Sequence, residues 1–132
     1  MAFYGAPLEG QTDHAQRACQ TALEMMIRLN QLNELRVKNN QPPFDIGIGI
    51  NTGKMVVGNI GSDLKKDYTI IGDNVNLGAR LEGTNKKFKT NIIISEFTYE
   101  KVKDEVEVRE LGFETVKGKQ KSVRIYELLG MK

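Results

Sequence analysis

Phe44-Asp45-Ile46-Gly47-Ile48-Gly49-Ile50 alternates isoleucine with glycine or aspartate, which is the period-two signature of a β-strand. Asn51-Thr52-Gly53-Lys54 is turn material, and Met55-Val56-Val57-Gly58 supplies the return strand of a hairpin. Upstream, Asn39-Asn40-Gln41-Pro42-Pro43 ends a helix, because proline cannot continue one and restricts the residue before it. That helix begins at His14, where Thr12 or Asp13 can cap it. Along it Ala15, Ala18, Ala22, Met25, Leu29 and Leu32 recur at spacings of three and four, with Glu24, Arg28 and Gln31 between them. Met1 to Gly5 reads as the end of a buried strand, stopped by Gly5 and Pro7.

Downstream of the hairpin, Gly61 to Asp67 is a polar excursion and Tyr68-Thr69-Ile70-Ile71 a short extended run. A short helix is expected from about Asn74 to Glu82, ended by Gly83 and Asn85. Asn91 to Ser95 reads as a buried strand and Glu96 to Asp104 as a short helix. Val106 and Val108 alternate with charged residues, as in a strand with one wet face, and Ser122 to Leu129 gives a last strand. Strands and helices in this order point to an α+β fold, with helices packed on one face of a mainly antiparallel sheet.

The 132 residues fit one compact domain, read here as a single domain over 1–132. With 39% apolar and 27% charged residues and a net charge of +2, the chain is ordinary globular protein. So small a basic excess gives no nucleic-acid footprint. No apolar run reaches the roughly 18 residues that span a membrane. Cys19 is the only cysteine, which excludes an intrachain disulfide or cysteine metal cluster. His14, the only histidine, has no second ligand beside it and reads as a surface or cap residue. Gly58-x-x-Gly61 is not followed by a helix, as a phosphate-cradling loop would be.

Chemistry concentrates in Asp67-Tyr68-Thr69-Ile70-Ile71-Gly72-Asp73-Asn74-Val75-Asn76-Leu77-Gly78-Ala79-Arg80-Leu81-Glu82-Gly83. On a helix Asn76 and Arg80 are four apart and share a face. Arginine presents a planar fork of donors to phosphate oxygens, and asparagine both donates and accepts. On spacing alone a solvent-facing polar stripe is the commoner explanation, because Asn-x-x-x-Arg is a frequent pattern.

Gly72-Asp73-Asn74-Val75-Asn76-Leu77-Gly78-Ala79-Arg80-Leu81-Glu82 resembles the signature of class III adenylate/guanylate cyclases, approximately Gly-Asp-x-Val-Asn-x-Ala-x-Arg-Leu-Glu. Three further stretches are similar to that family in the same order: Met1 to Pro7, the run Ile48 to Lys54 with Val57 to Ser62, and Val116-Lys117-Gly118-Lys119. The resemblance covers the whole chain. It implies a ferredoxin-like cyclase fold and a two-fold homodimer, or larger assembly, with active sites at the subunit interface.

The resemblance also implies the roles. Arg80 matches the transition-state arginine and Asn76 the ribose-orienting asparagine, the two catalytic candidates. Lys117 matches the lysine that meets the terminal phosphates, with Lys119 as second choice. Thr69, beside Ile70, sits where the family reads the purine, and threonine there favours ATP, with GTP as the alternative. The product would be cyclic AMP in intracellular signal transduction. Two divalent ions, Mg or Mn, would be held by two aspartates that the family carries before the Met1 match, so no metal ligand is assigned here. On that reading the domain is truncated at its N-terminus and inactive alone; a non-catalytic dimerisation partner is the alternative. The family implies a cytoplasmic domain without membrane contact of its own, in a parent protein often fused to sensory or membrane modules.

Overall fold

The computed structural model describes residues 14–53, 65–115 and 122–132, with the backbone alone for 65–75. Within these the elements run α1 (His14–Lys38), β1 (Ile48–Ile50), α2 (Lys65–Phe88), β2 (Ile92–Ser95), α3 (Glu96–Val102), β3 (Val106–Thr115) and β4 (Ser122–Met131). The expected opening strand at 1–5, the caps Thr12 and Asp13 and the return strand Met55–Gly58 lie outside the described residues.

The four strands form one sheet in the order β1-β2-β4-β3. β1 pairs with β2 in parallel, Ile48 against Ile92 and Ile50 against Ile94. The β2–β4 and β3–β4 pairings are antiparallel, so the sheet is mainly antiparallel, as expected. The helices, however, cover both faces. Ala15, Cys19 and Ala22 of α1 and Val102 of α3 pack with Ile92, Ile94, Tyr126 and Leu128. Leu77 and Leu81 of α2 pack with Ile93, Val123 and Ile125 on the opposite side. The physical reason is legible in β2, whose four residues are all buried: a strand covered on both faces reads as a continuous apolar run.

α1 and α2 differ from their sequence readings for identifiable reasons. α1 is described from His14, and its buried stripe is Ala15, Cys19 and Ala22, flanked by Leu23 and Met26. Met25 and Leu32 remain 47% and 45% exposed, because only the first turns of this 25-residue helix overlie the sheet. Its end is a Schellman-type closure with Asn40 left-handed (φ 59°), where the Gln41 amide donates to the Arg36 carbonyl at 2.8 Å. Pro42 to Phe44 is then clasped back on the helix, since Asn33 exchanges two 2.8 Å hydrogen bonds with the Phe44 backbone.

α2 is one continuous helix of 24 residues. The extended run expected at 68–71 is helical backbone, and the helix passes through Gly83 and Asn85 to end at Phe88. Once the turns anchored by Leu77 and Leu81 exist, extending the helix adds one hydrogen bond per residue fixed. The core contacts of Leu77 and Leu81 and the hydrogen bonds of Asn85 offset the roughly 1 kcal/mol by which a helical glycine is disfavoured. Asn85, expected as a stop signal, is a 2% exposed clasp. Its amide donates to the carbonyls of Ile48 (3.1 Å) and Glu82 (3.1 Å), and its Oδ1 accepts from the Thr90 hydroxyl (2.8 Å).

Candidate active site

The site is built on α2, and two glycines, Gly49 in β1 and Gly47 just before it, set how close that helix comes. A β-carbon on Gly49 would stand 2.5 Å from the Glu82 amide nitrogen and 2.9 Å from the Leu81 β-carbon. One on Gly47 would stand 2.8 Å from the Glu82 carbonyl oxygen. Real side chains essentially never tolerate such distances, so Gly47 and Gly49 let the helix lie directly on the strand backbone. Ile48 and Ile50, pointing the other way, pack on the α1 side. The Ile-Gly alternation thus divides a strand between two packings, a helix backbone on one face and a side-chain core on the other.

Asn76 and Arg80 project from α2 one turn apart, both exposed. Leu77 and Leu81, at 4% and 0% exposure, root the same turn in the core. Arg80 donates through Nε to Glu114 Oε1 of β3 at 2.8 Å. The pair is asymmetric, because the Arg80 side chain is 43% exposed and the Glu114 side chain 10%. The carboxylate is the fixed partner and the guanidinium the reaching one.

Glu114 reaches this position through a β-bulge. Glu110 pairs with Tyr126, but Gly112 pairs with Ile125, so one extra residue enters β3. Gly112 takes a φ of +117°, which a side chain would strain. The insertion moves Glu114 from the face of Val106 and Val108 to that of α2, opposite Val123. No sequence signal marked Glu114; strict alternation along β3 puts it on the wrong face.

A second polar group closes the C-terminal ends of the parallel strands. The Ser95 hydroxyl donates to Asn51 Oδ1 at 2.8 Å and caps α3 by accepting from the Thr98 amide at 3.3 Å. The Thr98 hydroxyl shares a 2.8 Å hydrogen bond with that of Thr52. Asn51 also lies beside α2, its β-carbon 3.9 Å from where a Gly78 side chain would begin.

Of the residues singled out in the sequence, Asn76 and Arg80 therefore share one surface of α2. Thr69 and Ile70 fall in the first part of the same helix, where only the backbone is described. Lys117 and Lys119 lie outside the described residues, in the connection between β3 and β4. Among the described residues, no group of three or more His, Cys, Asp or Glu could hold a metal ion. No helix among the described residues is long and apolar enough to cross a membrane.

A mixed α+β sheet of this topology, with a long helix presenting asparagine and arginine one turn apart, is compatible with the nucleotidyl cyclase class of domain. The chain belongs to the adenylate and guanylate cyclase catalytic domain family, whose model matches residues 1–130. It is 38% identical over 130 residues to Adenylate cyclase 1 of Rhizobium meliloti (strain 1021), covering 98% of this chain and 19% of that protein. It is 34% identical over 127 residues to an adenylate cyclase of Anabaena cylindrica, covering 91% and 25%. The chain thus spans a quarter or less of the length of these curated relatives. Among solved structures, the guanylyl cyclase Cya2 superimposes with a TM-score of 0.78 at 34% identity, over 98% of this chain and 64% of that one. The adenylyl cyclase CyaB from P. aeruginosa does so with 0.76 at 30% identity, over 98% and 66%.

Proposed function

We propose that this chain supplies the asparagine and arginine side of a cyclase active centre that converts ATP to cyclic AMP and pyrophosphate. The observation that carries the reading is the exposed pair Asn76 and Arg80, one turn apart on a helix packed tightly against the sheet. In the reaction the ribose 3′-oxygen attacks the α-phosphorus. A new O–P bond forms, the bond from that phosphorus to the bridging oxygen breaks, pyrophosphate leaves with the electron pair, and the hydroxyl proton passes to solvent. The arginine fork meets the α-phosphate oxygens, where negative charge grows in the transition state. Asn76, able to donate and accept, holds the ribose so that the 3′-oxygen is aligned. Lys117, with Lys119 beside it, neutralises the terminal phosphates of the leaving group.

ATP is favoured over GTP by Thr69 and by the adenylate cyclase relatives, while the guanylyl cyclase structure keeps GTP as the substrate to compare. Mg or Mn ions belong to the full reaction, and the described residues assign no ligand to them. The working form on this reading is a cytoplasmic dimer with the centre at its interface, one domain over 1–132 in each subunit.

The test is steady-state turnover of ATP and of GTP by the full-length cyclase that carries this domain, with and without Arg80→Ala. Loss of one oriented donor to a developing charge lowers kcat by about 100-fold or more, with KM changing little. Unchanged kcat in Arg80→Ala would sink the reading.

A further inference from the structure

We infer that Glu114 is a positioning residue for Arg80, fixing the plane and reach of the guanidinium so that its terminal nitrogens face the reacting phosphate. The inference rests on the catalytic reading of Arg80 and adds a residue on another element that this reading does not use.

Three observations carry it. The first is the asymmetry of the pair: Glu114 is nearly enclosed, whereas over two-fifths of the Arg80 side chain is open to solvent. A pair with one partner buried adds little net stability over apolar residues of the same volume, so fold stability alone gives it little purpose. The second is the atom used. The bond is made by Nε, one of the five donors of the guanidinium, and not by the four N–H groups on the two terminal nitrogens. A carboxylate on Nε fixes the ring-like plane of the group while those four remain available to a planar, two-oxygen partner. The third is the device that places the carboxylate. The bulge at Glu110/Gly112, with Gly112 at φ +117°, is what turns Glu114 towards α2, and bulges commonly re-aim a side chain beside a site.

Both ends of the contact are held firmly. Arg80 stands on the turn that carries Leu81, against the backbone of Gly49. Glu114 sits in a paired strand opposite Val123. Its partner cannot be lost without leaving a largely buried carboxylate uncompensated, so the Nε contact is kept when the terminal nitrogens engage an anion. Glu114 also stands three positions before Lys117 in the sequence. The contact therefore joins the arginine to the root of the segment that carries the phosphate-binding lysine candidates.

The experiment compares Glu114→Met, which fills the volume without an acceptor, and Glu114→Gln, which keeps an acceptor oxygen, in the full-length cyclase with ATP. Assays run well below the melting temperature of each variant, with Arg80→Ala as control, and the Arg80 Nε–Hε proton signal is followed by NMR. Glu114→Met is expected to lower kcat about tenfold to a hundredfold, with KM within about threefold of the parent, and to lose the protected Nε–Hε signal. Glu114→Gln is expected to keep kcat within about fivefold and to keep that signal. A folded Glu114→Met with parental kcat overturns the inference, and so does Glu114→Gln being as impaired as Glu114→Met. If Arg80→Ala alone leaves turnover intact, the catalytic reading fails and this inference with it. If Arg80→Ala abolishes turnover while Glu114→Met does not, only this inference fails.

Discussion

Gly49 of β1 lies against Gly78 of α2, so close that a β-carbon on Gly49 would run into the Gly78 carbonyl oxygen and stand 2.5 Å from the Glu82 amide nitrogen. Both obstacles are backbone atoms, which cannot swing aside as a side chain does. Gly49→Ala must therefore push the helix off the sheet, at a cost of about 2–3 kcal/mol. We expect the melting temperature, followed by circular dichroism, to fall by about 5–15 °C. Gly83→Ala should have the opposite sign, because a β-carbon there meets nothing within 4 Å and removes a flexible residue from a helix interior.

Arg80→Lys keeps the charge and loses the fork. Lysine cannot hold Glu114 through an Nε donor while presenting two coplanar nitrogens elsewhere. The expected result is a loss of kcat of about 100-fold with near-parental KM, measured as cyclic AMP formed from ATP. Lys117→Ala should instead raise KM along with any loss of kcat, because a point charge on the terminal phosphates binds ground and transition states alike.

The Cys19 thiol is fully enclosed between α1 and the sheet, and burial, followed by the nearby Glu105 charge, pushes it up to about 11 from 9.0. The neutral thiol is therefore favoured in the folded state. Its contribution is fully present below pH 9, then lost as pH rises from 9 to 11, where the unfolded chain releases the proton first. The loss is of order 2 kcal/mol. Urea titrations at pH 8 and at pH 11 should show that fall in the parent and a flatter profile in Cys19→Ala. A thiol reagent at pH 7 should label only unfolded protein.

Ser95→Ala removes both the cap of α3 and the 2.8 Å hydrogen bond to Asn51. A destabilisation of about 1–2 kcal/mol is expected by urea denaturation. Equal stability of parent and variant would show that the Thr98 and Thr52 hydroxyls re-satisfy these groups unaided.

Much of the fold was legible because local rules and tertiary packing agree over long stretches. The helical period of α1, the buried run of β2, the start of α3 at Glu96 and the terminal pair of strands all follow from residue pattern. The differences share one cause. Local preference favours an extended run at Tyr68 to Ile71 and a stop at Gly83 and Asn85, whereas α2 is held by Leu77 and Leu81 in the core and by Asn85 bonding to β1. Similarly, Met25 and Leu32 fit the helical period of α1, but the sheet lies under only part of the helix.

The residue order alone sufficed for the cyclase signature and for the one-turn spacing of Asn76 and Arg80, because a 3.6-residue helix converts i and i+4 into neighbours wherever it sits. The partner of Arg80 was beyond its reach. Glu114 is 34 residues away, and its face of β3 depends on a bulge that reverses the parity of every residue after it. Nor does the spacing of Gly47 and Gly49 say which helix will lie on them. Both are pairings between elements distant in the chain, and only the packed sheet and its helices bring them into contact.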